Sequence, residues 1–209
     1  MFPFIDNLLR LMKQFAEQKF NIPSLKGISD KNIEEHLKLY SGYVKNANTV
    51  LEKIEEYKRD SEKHAYALGE LQRRFWFLFN GMRNHEYYFR SLEDGAKSPE
   101  EGSQLFSMIV QEWGSFDSWL NTFKSIALTR GVGWAVLYYD PQTKRLLHQW
   151  IDEQHLGHLN ALPWVLGIDM WEHAFVFDYQ PSGKKNYIDD FFSNLNWSVV
   201  EENYKVAQH

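Results

Sequence analysis

Two long stretches of helical hydrophobic periodicity, joined by a short charged connection, constrain this chain more than any other feature. From about Asn32 to Tyr57, apolar residues recur at Ile33, Leu37, Tyr40, Val44, Ala47, Val50, Leu51 and Ile54, mostly three and four apart. Ser29 and Asp30 precede the run as candidate caps, Glu34 sits where a carboxylate suits the helix dipole, and Gly42 is a candidate kink. A second run, about His64 to Leu92, has an apolar set that includes Leu68, Leu71, Phe75, Phe79, Tyr88 and Phe89. Only the charged segment Lys58 to Lys63 separates the two, so the spacing predicts an antiparallel helical hairpin.

Beyond the hairpin the pattern changes. Residues 93–102 are polar and turn-rich, the best boundary in the chain. Ser103 to Ile126 reads as one helix. Gly133 to Tyr139 reads as a strand ending at the Asp140-Pro141 turn, Leu146 to Ile151 as its hairpin partner, and Pro163 to Ile168 as a third, buried strand. Asn186 to Phe192 and Val199 to Ala207 return to helix. The expected fold is α+β: an N-terminal antiparallel helical hairpin, then a C-terminal domain of a small three-stranded antiparallel sheet with helices. Three units follow from this: residues 1–22 as a helical extension, residues 23–98 as the hairpin domain and residues 99–209 as the α+β domain. Phe4, Ile5, Leu8, Leu9, Leu11 and Met12 give the extension its apolar face, and Asn21-Ile22-Pro23 breaks it from the hairpin.

Composition excludes several chemistries. With no cysteine in 209 residues, disulfides, thiolate zinc sites, iron–sulfur clusters and cysteine nucleophiles are ruled out, so any metal must sit on His, Asp or Glu. A net charge of −5 without a dense Lys/Arg block argues against nucleic acid as a partner. No uncharged apolar run approaches the ~20 residues of a membrane span. Asp6 and Arg10 in the first turns argue against a signal peptide, so the expected location is cytoplasmic, off the membrane. Aromatics at 16% point to a heavily packed interior or an aromatic-lined site.

Among eight histidines, His173 has the most informative neighbour. Asp169 lies four residues before it, just after the third strand, a spacing that lets a carboxylate and an imidazole face one point as an oxygen-plus-nitrogen metal site requires. That spacing alone is common, but its context is not. Asp-Met-Trp-Glu-His-Ala-Phe (169–175) resembles the Asp-x-Trp-Glu-His-Ala-aromatic signature of the iron/manganese superoxide dismutase family. Asn84-His85-Glu86-Tyr87-Tyr88-Phe89 is similar to that family's Asn-His-x-x-aromatic-aromatic segment. His36 with the following Leu37 to Val44 resembles its first-helix histidine and active-site tyrosine. Gly131-Val132-Gly133-Trp134 matches the family's Gly-x-Gly-Trp, and Asn196-Trp197 precedes a terminal helix as in the family. The matches run in order from about residue 23 to residue 205.

The resemblance implies one iron or manganese ion per subunit, held by His36, His85, Asp169 and His173, and a dismutase that turns superoxide into dioxygen and hydrogen peroxide. It implies a gateway role for Tyr43 and a proton-relaying residue after the second strand, His155 or, one position earlier, Gln154. Gly81 leaves the family's other version of that position without a side chain. Trp134, Trp171, Tyr88 and Phe89 would wall the site. Glu172 would reach the partner subunit across a two-fold axis, in a homodimer or homotetramer. Lys38, Lys184 and Lys185 are the expected cations for steering the superoxide anion. His158 reads as a loop hydrogen-bonder, and His64, His148 and His209 as surface residues. The chain departs from the family pattern at Val176, where many relatives carry a tyrosine that bonds across the dimer, and at Tyr40, near which many carry the histidine that pairs with it. Phe89 stands for a frequent Trp, and Asn203 for a basic residue. These departures motivate an alternative: a family member retaining a structural metal with little or no dismutase activity. A two-metal carboxylate site would need duplicated Glu-x-x-His pairs, which this sequence lacks.

Overall fold

A computed structural model describes residues 14–209, and the helix expected over Phe4 to Met12 lies outside the described residues. The first long run forms helix α1, Asp30–Tyr57, unbroken through Gly42. Ser29 caps it by accepting from the Asn32 N–H at 3.1 Å, and its buried stripe runs through Ile33, His36, Tyr40, Val44, Ala47, Val50 and Ile54. The second run forms α2, Ala65–Arg90, after a 3-10 turn at Lys58–Asp60. The helices are antiparallel, since Tyr43 meets Phe77, Tyr40 meets Glu86 and His36 meets Phe89.

Residues 15–25 run without helix or strand, and side chains satisfy their backbone instead. Asn48 bonds both the N–H and the carbonyl of Phe15 at 2.9 Å, Tyr40 Oη accepts from Gln18 N–H at 2.9 Å, and Glu93 accepts from Asn21 N–H at 2.8 Å. This strap lies across both hairpin helices.

The expected helix from Ser103 to Ile126 is two: α3, Gln104–Trp113, and α4, Phe116–Ala127. The break has a local cause. Gly114 adopts φ 81°, a left-handed end that glycine takes without steric cost, and Ser115 caps the next helix by accepting from Ser118 N–H. Apolar periodicity runs through such a corner without registering it.

The sheet has order β2-β1-β3 and is antiparallel throughout, with β1 at Gly133–Asp140, β2 at Arg145–Asp152 and β3 at Trp164–Asp169. Every β1 residue from Gly133 to Tyr139 is buried, which explains its continuous apolar run. Pairing Trp134 with both Ile151 and Asp169 brings the end of β3 beside the start of β1. The chain closes with α5, Lys184–Asn194, and α6, Trp197–Ala207, the latter capped by Asn196 and packed on β3. The architecture is mixed α+β, helices first and then a three-stranded antiparallel sheet with helices around it. Among the described residues, no helix is long and apolar enough to cross a membrane.

Candidate metal centre

α1, α2 and the end of β3 converge on one point. The Nε2 atoms of His36, His173 and His85 lie 3.1, 3.2 and 3.5 Å from a single oxygen, Asp169 Oδ2. Ligand atoms from all four residues lie within 4.8 Å of one another. His36, His85 and Asp169 are fully buried, while the His173 side chain keeps 22% exposure.

Backbone geometry prepares each group. β3 stops at Asp169, where Met170 N–H donates to Gly133 at 2.8 Å and Trp171 N–H donates to Asp169 Oδ1 at 2.8 Å, leaving Oδ2 to face the imidazoles. The following turn is a short 3-10 segment, Glu172–Ala174, that brings His173 back over the carboxylate. On α2, His85 Nδ1–H donates to the Gly81 carbonyl at 2.5 Å, which fixes Nε2 as the lone-pair nitrogen. Among the described residues that Nε2 has no hydrogen-bond partner although it is buried.

The electrostatics follow from burial. Desolvation pushes the His36 imidazole below its ordinary range against the pull of Asp169, and takes His85 down to about 3, with the nearby His36 adding to the effect. Burial alone would raise the Asp169 carboxyl, but the charge of His173 and hydrogen bonds from His173 and His36 outweigh it and hold the carboxyl below the usual carboxylate range. Burial thus favours the neutral imidazoles of His36 and His85 beside an ionised Asp169 carboxylate. An orphaned buried nitrogen costs free energy with nothing to bind, and a first-row cation satisfies it together with the carboxylate. The residues present fit such an ion.

Aromatic rings enclose the cluster. Phe89 and Tyr88 lie 4.9 and 5.1 Å from His36, Trp134 lies 5.2 Å from His85, and Trp171 stacks on His173 at 5.6 Å. The Tyr43 ring lies 5.1 Å from His85. It fits because α2 has no side chain at Gly81, where a Cβ would come within 2.5 Å of the Tyr43 ring. Tyr43 Oη accepts from Gln154 Nε2 at 3.0 Å, and Gln154 Oε1 accepts from Trp134 Nε1 at 3.0 Å. Burial first, then the charge of Asp169, raise the Tyr43 phenol well above its ordinary range.

His155, expected beside this group, is turned away. Its ring packs edge-on against Trp76 at 4.8 Å and Phe77 at 5.4 Å, and the fully buried side chain in contact with Tyr43 is Gln154, the alternative. The cause is the end of β2: Glu153 takes φ 51°, reversing the chain so that Gln154 points toward Tyr43 and Trp134 while His155 packs against α2. His158 forms bonds to Tyr138 and to the Gln154 carbonyl, as a loop hydrogen-bonder should. His148, expected at the surface, is instead held among Trp113, Phe123 and Trp119, since its strand faces α3 and α4.

The expected cations divide. Lys38 is paired with Glu34 and Glu35 at 2.7 and 3.0 Å. Lys184 reaches the Gly131 carbonyl at 3.4 Å and the Phe175 ring, and Lys185 is exposed. Sequence reasoning missed Arg74, whose guanidinium lies 4.1 Å over Phe77, the ring that itself packs on Tyr43. An exposed arginine on a helix carries no signal of that placement. Also missed was Glu86, buried between Tyr40 Oη–H at 3.1 Å and Arg83 at 2.6 Å. Tyr40 therefore spends its hydroxyl within the chain. Glu172 is exposed, followed by exposed Val176 and Phe177.

Residues 100–203 match the family described as iron/manganese superoxide dismutases, C-terminal domain. An iron superoxide dismutase of Aquifex aeolicus (strain VF5) is 34% identical over 189 residues, covering 88% of this chain and 87% of its own. A manganese superoxide dismutase of Mycobacterium avium is 35% identical over 175 residues, 82% of each chain. An iron superoxide dismutase of Saccharolobus solfataricus is 30% identical over 180 residues, 85% of this chain and 83% of its own.

Proposed function

The chain belongs to the iron/manganese superoxide dismutase family, and on that footing we propose that it converts superoxide to dioxygen and hydrogen peroxide with one iron or manganese ion per subunit held by His36, His85, Asp169 and His173. The observation that supports this most is the convergence of three imidazole nitrogens on Asp169 Oδ2, with His85 Nε2 otherwise unpartnered inside the protein. An iron or manganese ion held by these four residues would supply the two oxidation states that superoxide dismutation needs, which zinc cannot.

The chain's own residues supply the rest. Making peroxide consumes protons, and Tyr43 is placed to hold one: its oxygen accepts from Gln154, and among the described residues its own O–H has no acceptor. Gln154 in turn keeps one amide N–H without a partner among the described residues and is held by Trp134. Tyr88, Phe89, Trp134 and Trp171 exclude bulk water, so charge interactions at the site act in a low dielectric. Arg74 and Lys184 draw the anion toward Tyr43 and His173, with Lys185 contributing and Lys38 largely cancelled by its acidic neighbours. Glu172, with exposed Val176 and Phe177 beside it, marks the face of a cytoplasmic homodimer.

One observation favours the second reading, a structural metal with little turnover. Tyr40 bonds Glu86 and position 176 is a valine, so the relay between subunits that many relatives have is absent. Elemental analysis together with superoxide consumption, on protein reconstituted separately with iron and manganese, decides between them. About one ion per chain with fast turnover is the expected result and names the metal; stoichiometric metal without turnover selects the structural role.

A further inference from the structure

Behind Gln154 lies a run of hydrogen bonds that the chemistry above leaves unused. The loop after β2 turns at Glu153 and again at Gly157, so its carbonyls have few ladder partners. The Gln154 carbonyl nonetheless accepts two bonds, from Asn84 Nδ2 at 3.0 Å and from His158 Nε2 at 3.1 Å. His158 Nδ1 lies 2.9 Å from Tyr138 Oη, which accepts from Trp164 Nε1 at 3.0 Å. The indole can only donate and the carbonyl can only accept, so the neutral Nε2–H imidazole, accepting from Tyr138 at Nδ1, satisfies every member. The His158 ring is stacked on Trp164 at 5.9 Å.

Gln154 is thus held at its backbone by α2 through Asn84 and by the sheet through His158, while its side chain spans Trp134 and Tyr43. We propose that His158 is a positioning residue: the Trp164–Tyr138–His158 chain, acting through the Gln154 carbonyl, sets where the Gln154 amide meets Tyr43 and thereby tunes the metal. This rests on the dismutase reading for what the amide does, and on this chain's own bonds for what holds it. Groups one shell out from a metal's surroundings commonly change affinity or activity by about tenfold to a hundredfold, because displacements of tenths of an ångström matter to an aligned donor.

The test uses the manganese-loaded protein. His158→Phe keeps a ring against Trp164 and removes both bonds, and Tyr138→Phe, the milder change, removes only the hydroxyl, so a fold lost in the first can still be read in the second. Each is made in the wild-type and in the Gln154→Ala background and read by midpoint potential, visible spectrum and kcat/KM. Expected in the wild-type background are a shifted potential and spectrum with about tenfold lower kcat/KM for His158→Phe, and a smaller shift for Tyr138→Phe. His158→Gln, which keeps a donor and an acceptor, recovers most of the loss. In the Gln154→Ala background the same substitutions leave potential and spectrum unchanged. Equal shifts in both backgrounds, or a lower Tm with an unchanged potential, overturn the proposal. The potential needs only bound metal, so a chain that binds manganese without consuming superoxide sinks the dismutase reading and still decides the role of His158.

Discussion

At one end of the helical hairpin His36, Tyr40, His85, Tyr88 and Phe89 are fully buried and belong to the main core; at the other, Ala47, Val50, Ile54 and Leu78 form a small separate cluster, with Tyr66 85% exposed nearby in sequence. The ends differ in what burial achieves. The far end is ordinary apolar packing between two helices. The near end sinks three imidazoles and a carboxylate among aromatic rings, where uncompensated polar groups cost several kcal/mol. On the proposed function a bound cation would offset that cost at the near end only, so the same helices should respond to metal at their near end and ignore it at their far end.

The largest effect should come from breaking the proposed ligand set. His85→Ala should abolish metal retention and lower superoxide consumption by at least about a thousandfold, because the redox centre itself is lost. Chelating the metal from the wild type should raise hydrogen exchange in Asn32–Val44 and at the end of β3 while leaving Ala47–Ile54 at its original protection. Uniform loosening along α1 would show that the two ends are one cooperative unit.

A milder break keeps every ligand. Gly81→Ala places a Cβ within 2.5 Å of the Tyr43 ring, which must shift or force the helices apart. Overpacking of this kind costs about 1–3 kcal/mol. Turnover should fall about tenfold with metal content near wild type, measured by denaturant unfolding beside metal analysis. An unchanged rate would detach Tyr43 from the reaction.

A third prediction concerns the sheet, away from both hairpin ends. Burial among Trp113, Trp119 and Phe123 takes the His148 imidazole from an ordinary 6.5 down to about 4, and its Nε2 has no hydrogen-bond partner among the described residues. The folded chain therefore keeps it neutral while the unfolded chain takes up a proton below 6.5. Its contribution is intact above pH 6.5, falls by about 2 kcal/mol between pH 7 and pH 5, and goes on falling as pH drops toward 4. His148→Phe should shrink the difference in unfolding free energy between pH 7 and pH 5 relative to wild type without altering turnover at pH 7.

How much of this was legible in the sequence depends on whether a side chain's partner is local. The hairpin, the strands and their turns were readable because period and capping are written in neighbouring residues: Ser29 before α1, Asp140 in the β-hairpin turn, Asn196 before α6. The corner at Gly114-Ser115 was readable in principle, and periodicity overrode it. His36, His85, Asp169 and His173 came through motif resemblance, since their convergence spans more than a hundred residues of chain and no spacing encodes it. Which of Gln154 and His155 meets Tyr43 depends on a single left-handed residue, Glu153, whose conformation its side chain does not announce. His148 misled for the opposite reason: a polar residue on a strand reads as exposed until the helices that cover it are known.

The smallest effect tests the mouth of the site. Arg74 stands over Phe77, and Phe77 packs on Tyr43, so on the proposed function its charge lies beside the approach to the metal; an exposed charge there should act on the encounter and not on the chemistry. Arg74→Gln should lower kcat/KM by about two- to threefold at low ionic strength, and the difference should vanish near 0.5 M salt, where screening shortens to about 4 Å. kcat and metal content should not move. Lys38→Gln provides the contrast, because Glu34 and Glu35 already neutralise that lysine. If Lys38→Gln has the larger salt-dependent effect, the anion approaches along α1 and not past Phe77, and the cation that guides it has been assigned to the wrong helix.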